Sequence, residues 1–397
     1  VHAPHVICGG GLAGLALAVR LARADVGEVV VLERTVDDRA DRTWCTWDLG
    51  EHGLVGELIT AAASARWQRW AVATPDGQRA VGAGDCGYVH LAADAVRAHL
   101  TREARAAGAT IRRGVHVLGI DATGGGAVVV TTSDGPVRCA HAYDALALTG
   151  PAGRRRAPGH VELHQRFLGL HVRCARPTFD PDTVTLMEFL PGNEDAGARF
   201  VYVLPFSSTE ALVEDTSFGG RPVTSAERRQ HLHGWLAARG AGTVEVVREE
   251  RGDLLMTDAR FWPGVWPRHV SLGAAAGALR PSSGYAFTRT LRHVDRVADA
   301  VIAGAPTAPD GPGGSLLDAM DAVMLRVLVD HPAQAPAIFR ALIGGVDGDA
   351  LARFMADAPL PADLVRVMRA LPPRSFVRAA MRTPGALRAL PPLAVAR

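Results

Sequence analysis

The chain has 397 residues, nearly half of them apolar, which suffices for two or three packed units without disulfide staples. Its formal net charge is only +2 and all 43 basic side chains are arginine, which excludes lysine Schiff-base chemistry and argues against a nucleic-acid footprint. Cys8, Cys45, Cys86, Cys139 and Cys174 are scattered with no C-x-x-C, favouring a reducing cytoplasm; no run of about 20 apolar residues offers a bilayer span, and the glycine-broken N-terminal run does not read as a signal peptide.

Residues 5–35 read as strand, turn, helix, strand: HVICGGGLAGLALAVRLA, then VVVLER. Gly9, Gly11 and Gly14 form G-x-G-x-x-G at the turn, and Glu33 ends the next strand. This is a dinucleotide fingerprint: the glycines let backbone approach a pyrophosphate at a helix N-terminus, and the carboxylate takes a ribose hydroxyl. A polar loop with Trp44 and Trp47 follows, then a helix-like piece and a strand pair turned at PDG. YVHLAADAVRAHLTREARAAG reads as a strand end entering a helix that Gly108 stops, and ATIRRGVHVLGID, AVVVTTSD and YDALALTG predict strands. Residues 160–255 alternate as antiparallel strands, interrupted by a helix that Thr224 or Ser225 opens with Glu227 close behind. The segment SLGAAAGALRPSSGYAF then runs a strand into small residues, and Ser283–Gly284 is expected to open the following helix. It supplies a second set of cofactor contacts, from Gly273, Pro281, Ser283, Gly284 and Tyr285. Such a late strand and helix point to FAD rather than a simple NAD site. A linker, GAPTAPDGPGG, leads to a helical tail from about 315 to 395.

The expected architecture is therefore α/β. A Rossmann-like FAD-binding domain takes residues 1–45, 81–151 and 268–305. An antiparallel-sheet substrate domain takes 46–80 and 152–267, and a helical C-terminal region takes 315–397.

On RTWCTW, RFVYVLPFSSTEALVEDTSF, EERGDLLMT, GALRPSSGYAF and the tail segments RVLVDHPAQAPAIFRALIGG and LARFMAD, the chain resembles the bacterial lycopene β-cyclases, FAD-binding proteins of the glutathione-reductase-like superfamily. The resemblance implies a non-redox isomerisation: an acyclic polyene end is protonated, a carbocation closes a six-membered ring, and proton loss gives a β-ionone end group. It also implies a requirement for reduced FAD, with NADPH as reductant, and an apolar polyene substrate. Peripheral contact with the inner face of the plasma membrane goes with such a substrate. Three departures stand out. Leu148–Pro151 replaces the family's D-x-R-G, His171 stands where a glutamate is common, and GAAAG stands where flavoproteins generally show G-D. Two other readings keep FAD on the same fold: a monooxygenase or dehydrogenase acting on an apolar isoprenoid, and a non-catalytic polyene-binding subunit.

An apolar polyene offers no polar handle, so the chemistry needs one acid and surroundings that tolerate a cation. Glu214 and Asp215 are adjacent on a strand and must face opposite ways. Glu214 is the favoured acid, because a lone carboxyl in an apolar tunnel stays protonated. Glu188 is the second candidate, as acceptor or orienter; the resemblance implies that Glu249 or Glu250 holds the neighbouring loop, with a salt bridge to arginine as the alternative. Trp44, Trp47, Tyr202 and Phe206 are candidates for cation stabilisation through their ring faces. A reduced, anionic flavin beside a helix N-terminus would add Coulomb attraction. The histidines have no metal-site spacing: His231 and His233 are two apart on a helix, so no metal is expected.

Overall fold

The computed structural model describes residues 2–36, 43–122, 127–146, 154–155, 160–191, 197–309, 311–312 and 315–383. Residues 148–151, which depart from D-x-R-G, and the tail beyond 383 lie outside them.

The first sheet has eight strands. Its centre is His2–Cys8, which pairs in parallel with Val29–Glu33 on one side and Gly135–Asp144 on the other. Thr110–Arg113 and His269–Ser271 extend it, again in parallel. Both faces are covered, which is why these strands read as unbroken apolar runs. Ile7, Val29 and Val31 pack under helices Leu12–Arg23, Ala93–Ala106 and Phe287–Ile302. Val6, Cys8, Val30 and Leu32 pack under the hairpin Val117–Asp121/Val128–Thr132. Gly14 lets the first helix sit on the preceding turn, since a Cβ there would lie 1.9 Å from the Gly9 carbonyl oxygen.

The second sheet, also of eight strands, runs Val244–Thr257, Glu162–Cys174, Glu210–Phe218, Ala198–Pro205, Thr183–Phe189, Ala63–Ala73, Arg79–Ala92, Thr43–Trp47. All neighbours are antiparallel except Thr183–Phe189 with Ala63–Ala73. Thr43–Trp47 and Arg79–Ala92 thus pair with each other in this sheet, although the sequence reading put residues 43–45 and 81–92 with the nucleotide domain. Helix Ser225–Ala238 covers one face over Leu168, Leu170, Val172 and Val213. It opens with a reciprocal capping box: Thr224 Oγ1 accepts from the Glu227 N–H, and Glu227 accepts from the Thr224 N–H. The other face meets the tail helices Ser315–Asp330, Ala335–Gly345 and Gly348–Met355 through Phe200, Leu212, Phe218, Leu328, Ile338 and Leu351. Helices Pro361–Ala370 and Pro373–Arg382 end the described chain.

Candidate active site

A cavity of about 630 Å³ is lined jointly by the turn after the first strand, the second sheet and the tail helices, a size typical of small-molecule sites at roughly 300–1,000 Å³. Its two ends differ in chemistry.

At one end Gly11, Leu12, Ala13, Gly273, Ala274, Ser283 and Gly284 form the wall. Gly9 has φ +107°, a left-handed turn suited to glycine. Gly11 caps the Leu12–Arg23 helix without any side-chain partner, and a Cβ on it would meet nothing within 4 Å. The helix N-terminus therefore opens onto free space, as an anion site requires. Glu33 accepts hydrogen bonds from the Gly10 N–H at 2.6 Å and the Thr35 N–H at 2.7 Å. Burial alone would raise its pKa, but these N–H groups and the Arg97 charge hold it below the ordinary carboxylate value. Gly273 has φ +56°, and a Cβ on it would come within 3.0 Å of the Ala13 side chain of that helix. Two buried polar atoms beside the Ser283–Gly284 turn, Ser283 Oγ and Gln165 Oε1, have no partner within the protein. An open helix N-terminus and two orphaned polar atoms on the cavity wall, with a carboxylate fixed on the Gly10 N–H beside that helix, fit a dinucleotide cofactor of the FAD type.

Two expectations at this end are corrected. Ser283–Gly284 does not open a helix. The segment forms a tight turn, with the Gly284 N–H donating to the Arg280 carbonyl, and the helix starts at Phe287. Pro281 is buried in that turn and does not line the cavity, whereas Ser283, Gly284 and Tyr285 do.

At the other end the walls are aromatic and aliphatic. Trp44, Trp47 and Tyr202 line the cavity as the sequence suggested, and Tyr88 and Tyr285 join them. The Trp47 ring packs in tilted contact with two tyrosines, its centroid 4.6 Å from that of Tyr88 and 5.4 Å from that of Tyr285. The Tyr88 hydroxyl bonds Tyr285 at 2.6 Å and Tyr202 at 3.0 Å, and Tyr202 reaches Cys45 Sγ at 3.5 Å. Burial pushes the pKa values of all three tyrosines up and that of Cys45 to about 12, so the hydroxyls and the thiol stay neutral. Tyr88 carried no sequence signal beyond being an aromatic in a strand. Phe206 lies elsewhere, past the end of its strand, packed on Trp67, His90 and His171 rather than on the cavity.

The three candidate carboxylates separate. Glu214 faces the cavity. Burial, then the charge of Glu250 and a hydrogen bond with it, push the Glu214 pKa well above the usual range. Gly169, on the strand between them, pairs with Glu214 on one side and Glu250 on the other. A Cβ on Gly169 would lie 2.9 Å from Glu214 Cγ and 3.1 Å from Glu250 Cγ, so the glycine leaves the room in which the two carboxyls meet. Glu250, almost fully buried, accepts from Thr43 Oγ1 at 3.0 Å and pairs with Arg248 at 3.0 Å. His171, one pleat further along, binds Glu210 at 2.8 Å.

Asp215 points to the opposite face and is fully buried. It is held by Arg199 at 2.9 Å, Arg228 at 2.8 Å and His231 at 2.8 Å. Burial favours its neutral form, but the hydrogen bonds and charges of these groups outweigh burial and keep its pKa low. It cannot touch a ligand in the cavity. Glu188 also faces away, onto Trp235 Nε1 at 3.1 Å and Arg239. The cause is a register irregularity between Thr185 and Glu188: Leu186 and Met187 both line the cavity, and the alternation restarts with Glu188 on the far side. Glu249, next to Glu250, is a partly exposed surface partner of Arg229. Among the described residues no group of three or more His, Cys, Asp or Glu side chains is placed to hold a metal.

The family model for the lycopene cyclase protein matches residues 5–381. The chain belongs to the lycopene cyclase family. A lycopene beta-cyclase of Paracoccus sp. (strain N81106 / MBIC 01143) is 29% identical over 326 residues, 79% of this chain and 77% of that one. One from Pantoea ananas is 25% identical over 235 residues, 53% of this chain and 56% of its own length. Among solved structures, a geranylgeranyl bacteriochlorophyll reductase-like protein from Thermoplasma acidophilum superposes with TM-score 0.62 at 14% identity, covering 96% of this chain and 99% of that one. A flavoprotein/dehydrogenase from Cytophaga hutchinsonii gives 0.64 at 13%, with the same coverage. At these identities the structural likeness establishes the fold, that of the flavoprotein reductases and monooxygenases, and nothing finer. Besides Glu214, the cavity wall carries Glu250 and Tyr88.

Proposed function

We propose that this protein closes the acyclic ends of lycopene or a related isoprenoid polyene into β-ionone rings, in an FAD-dependent reaction without net redox change. The observation that carries the reading is a buried carboxyl, Glu214, paired with Glu250 and set in an apolar, aromatic cavity that also borders the open nucleotide turn; burial and Glu250 push its pKa up. FAD would lie with its pyrophosphate at Gly9–Gly14, its ribose at Glu33 and its ring beside Gly273, Ser283, Gly284 and Tyr285. When bound and reduced, with NADPH as electron source, it supplies negative charge beside a developing cation. Glu214 donates its proton to the terminal double bond, a general-acid step. The rings of Trp47, Tyr88 and Tyr285 face the cation as it closes and exclude water from it. Asp215 and Glu188 take no part in bond making. Asp215 fixes the strand that carries Glu214.

The fold also serves monooxygenases and dehydrogenases, so stoichiometry decides. Enzyme pre-reduced with NADPH is incubated anaerobically with lycopene in liposomes, and products are separated by chromatography. Many ring closures per reduced flavin, with no further NADPH consumed, are expected. One NADPH per product, or a requirement for oxygen, would replace the cyclase reading with a redox one.

A further inference from the structure

Ring closure needs a proton given at one carbon and taken from another, and the cavity wall contains two carboxyls rather than one. Glu214 and Glu250 lean together over Gly169, hydrogen-bonded to each other. Their other surroundings differ. Tyr202 stands across the strand from Glu214, while Glu250 is anchored through Oε2 by Thr43 and Arg248. Both line the same cavity. A like-charged pair so close holds one proton more readily than none, and of the two carboxyls it is Glu250 that has a guanidinium partner, Arg248, at 3.0 Å.

We propose that Glu250 is the base that removes the ring proton, and that the hydrogen bond over Gly169 returns that proton to Glu214. The step rests on the cyclase reading above. In the forward direction the Glu214 O–H bond breaks and a C–H bond forms at the chain terminus. The cation closes a C–C bond. A ring C–H bond then breaks to leave the new double bond, its proton passing to Glu250. The dyad now has Glu214 ionised and Glu250 protonated, and one transfer across their hydrogen bond restores the starting state. No external acid, base or electron is consumed. Because the base has a fixed place, it also selects which ring proton is lost, and therefore which double-bond isomer forms.

The test compares wild type with Glu250→Gln, each loaded with reduced FAD and given lycopene in liposomes. Turnover, product isomers and the infrared band of the protonated carboxyl against pH are measured. Glu250→Gln is expected to keep its flavin, to lose about 10²-fold or more in turnover, and to release a mixture containing displaced ring double bonds or water-trapped alcohol. Its carboxyl band should also disappear at lower pH than in wild type, because the like charge beside Glu214 is gone while Arg248 remains. Wild-type turnover in Glu250→Gln would overturn the base role. So would slow turnover with an unchanged isomer, whether the infrared midpoint moves (Glu250 then only tunes Glu214) or stays (Glu250 is then only structural). Should Glu250→Gln fail to fold, Glu250→Asp, whose carboxylate is withdrawn by one methylene, must leak into the other isomers; a clean product at full rate refutes the proposal. If wild type cyclises nothing, the cyclase reading itself has failed, and that result is separate from a neutral Glu250→Gln in an active enzyme.

Discussion

Glu214 carries a conflict between stability and chemistry that can be measured from both sides. Replacing it with Gln should cut cyclisation by about 10²–10⁴-fold, with flavin content unchanged, because the amide keeps the size but delivers no proton. The same change should stabilise the fold. A carboxyl whose pKa is raised on folding loses stability as pH climbs from its unfolded value toward the folded one. At pH 8 the Gln variant should therefore melt higher, by roughly 1–3 °C, and the gap should shrink toward pH 4. Wild-type activity should show the matching trend, falling as pH rises through the raised pKa. A variant that is both inactive and less stable at pH 8 would mean the carboxyl is structural. At the nucleotide turn, Gly11→Val is an unusually clean probe. Gly11 has φ −81° and open space at its Cβ, so the fold should tolerate valine while FAD titration shows weakened binding. Full flavin retention would take the turn out of the site. Where strict alternation holds, residue type and strand position alone separate Glu214 from Asp215. Glu188 escapes that rule, because a register irregularity in TLMEF turns two consecutive side chains to the cavity and leaves no mark in residue type.

At the scale of elements, strand Glu210–Phe218 is fixed from behind and aimed in front. Behind it, Asp215 joins Arg199 on the neighbouring strand to Arg228 and His231 on helix Ser225–Ala238, with Arg228 also donating to Ser217 at 2.7 Å. Asp215→Asn leaves two buried guanidinium groups short of their counter-charge, which should cost about 3–5 kcal/mol, read by denaturant unfolding. Its sign with pH is fixed: the folded pKa is depressed, so the contribution is present above the ordinary Asp value of about 3.9 and lost as pH falls through the folded one. Wild type and Asp215→Asn should thus converge in stability under acid; a constant difference would mean the cost comes from packing. In front, Gly169→Ala would put a methyl against Glu214 and Glu250 together. Turnover should fall by about 10²-fold, the scale of a displacement near 1 Å at a reacting group, with little change in flavin content; normal turnover would show that the two carboxyls need not meet. The strands and the capped helix were legible from periodicity and from Thr224 with Glu227. The pairing of Gly169 between two glutamates was not, because it joins residues 45 and 81 positions away along the chain and depends on strand order, which no local pattern specifies.

Across the whole molecule, the tail helices face two ways. Ala335–Gly345 and Gly348–Met355 close the cavity with Phe339, Leu342 and Leu351. Farther out, Pro361–Ala370 and Pro373–Arg382 bury only Asp363, Val367, Ala379 and Ala380. They leave Leu360, Val365, Val377 and Met381 exposed, at 54, 41, 53 and 65%, among the exposed Arg366, Arg369, Arg374, Arg378 and Arg382. No described helix is long and apolar enough to cross a membrane. An apolar strip edged with arginine instead suits the headgroup layer of an anionic bilayer, apolar tips inward and guanidinium groups toward phosphate, which would bring the cavity to a membrane-dissolved polyene. The protein should float with anionic liposomes at low salt, and less so with neutral ones. Val365→Ser, Val377→Ser and Met381→Ser together change exposed positions only, so the fold and the flavin should survive. Flotation should drop, and cyclisation of liposomal lycopene should fall by roughly 30- to 150-fold, the effect of losing two to three kcal/mol of buried apolar area at the membrane. Turnover of detergent-dispersed lycopene should stay near wild type. Equal loss in detergent and liposomes would mean the tail acts on the cavity itself and leave the membrane role without support.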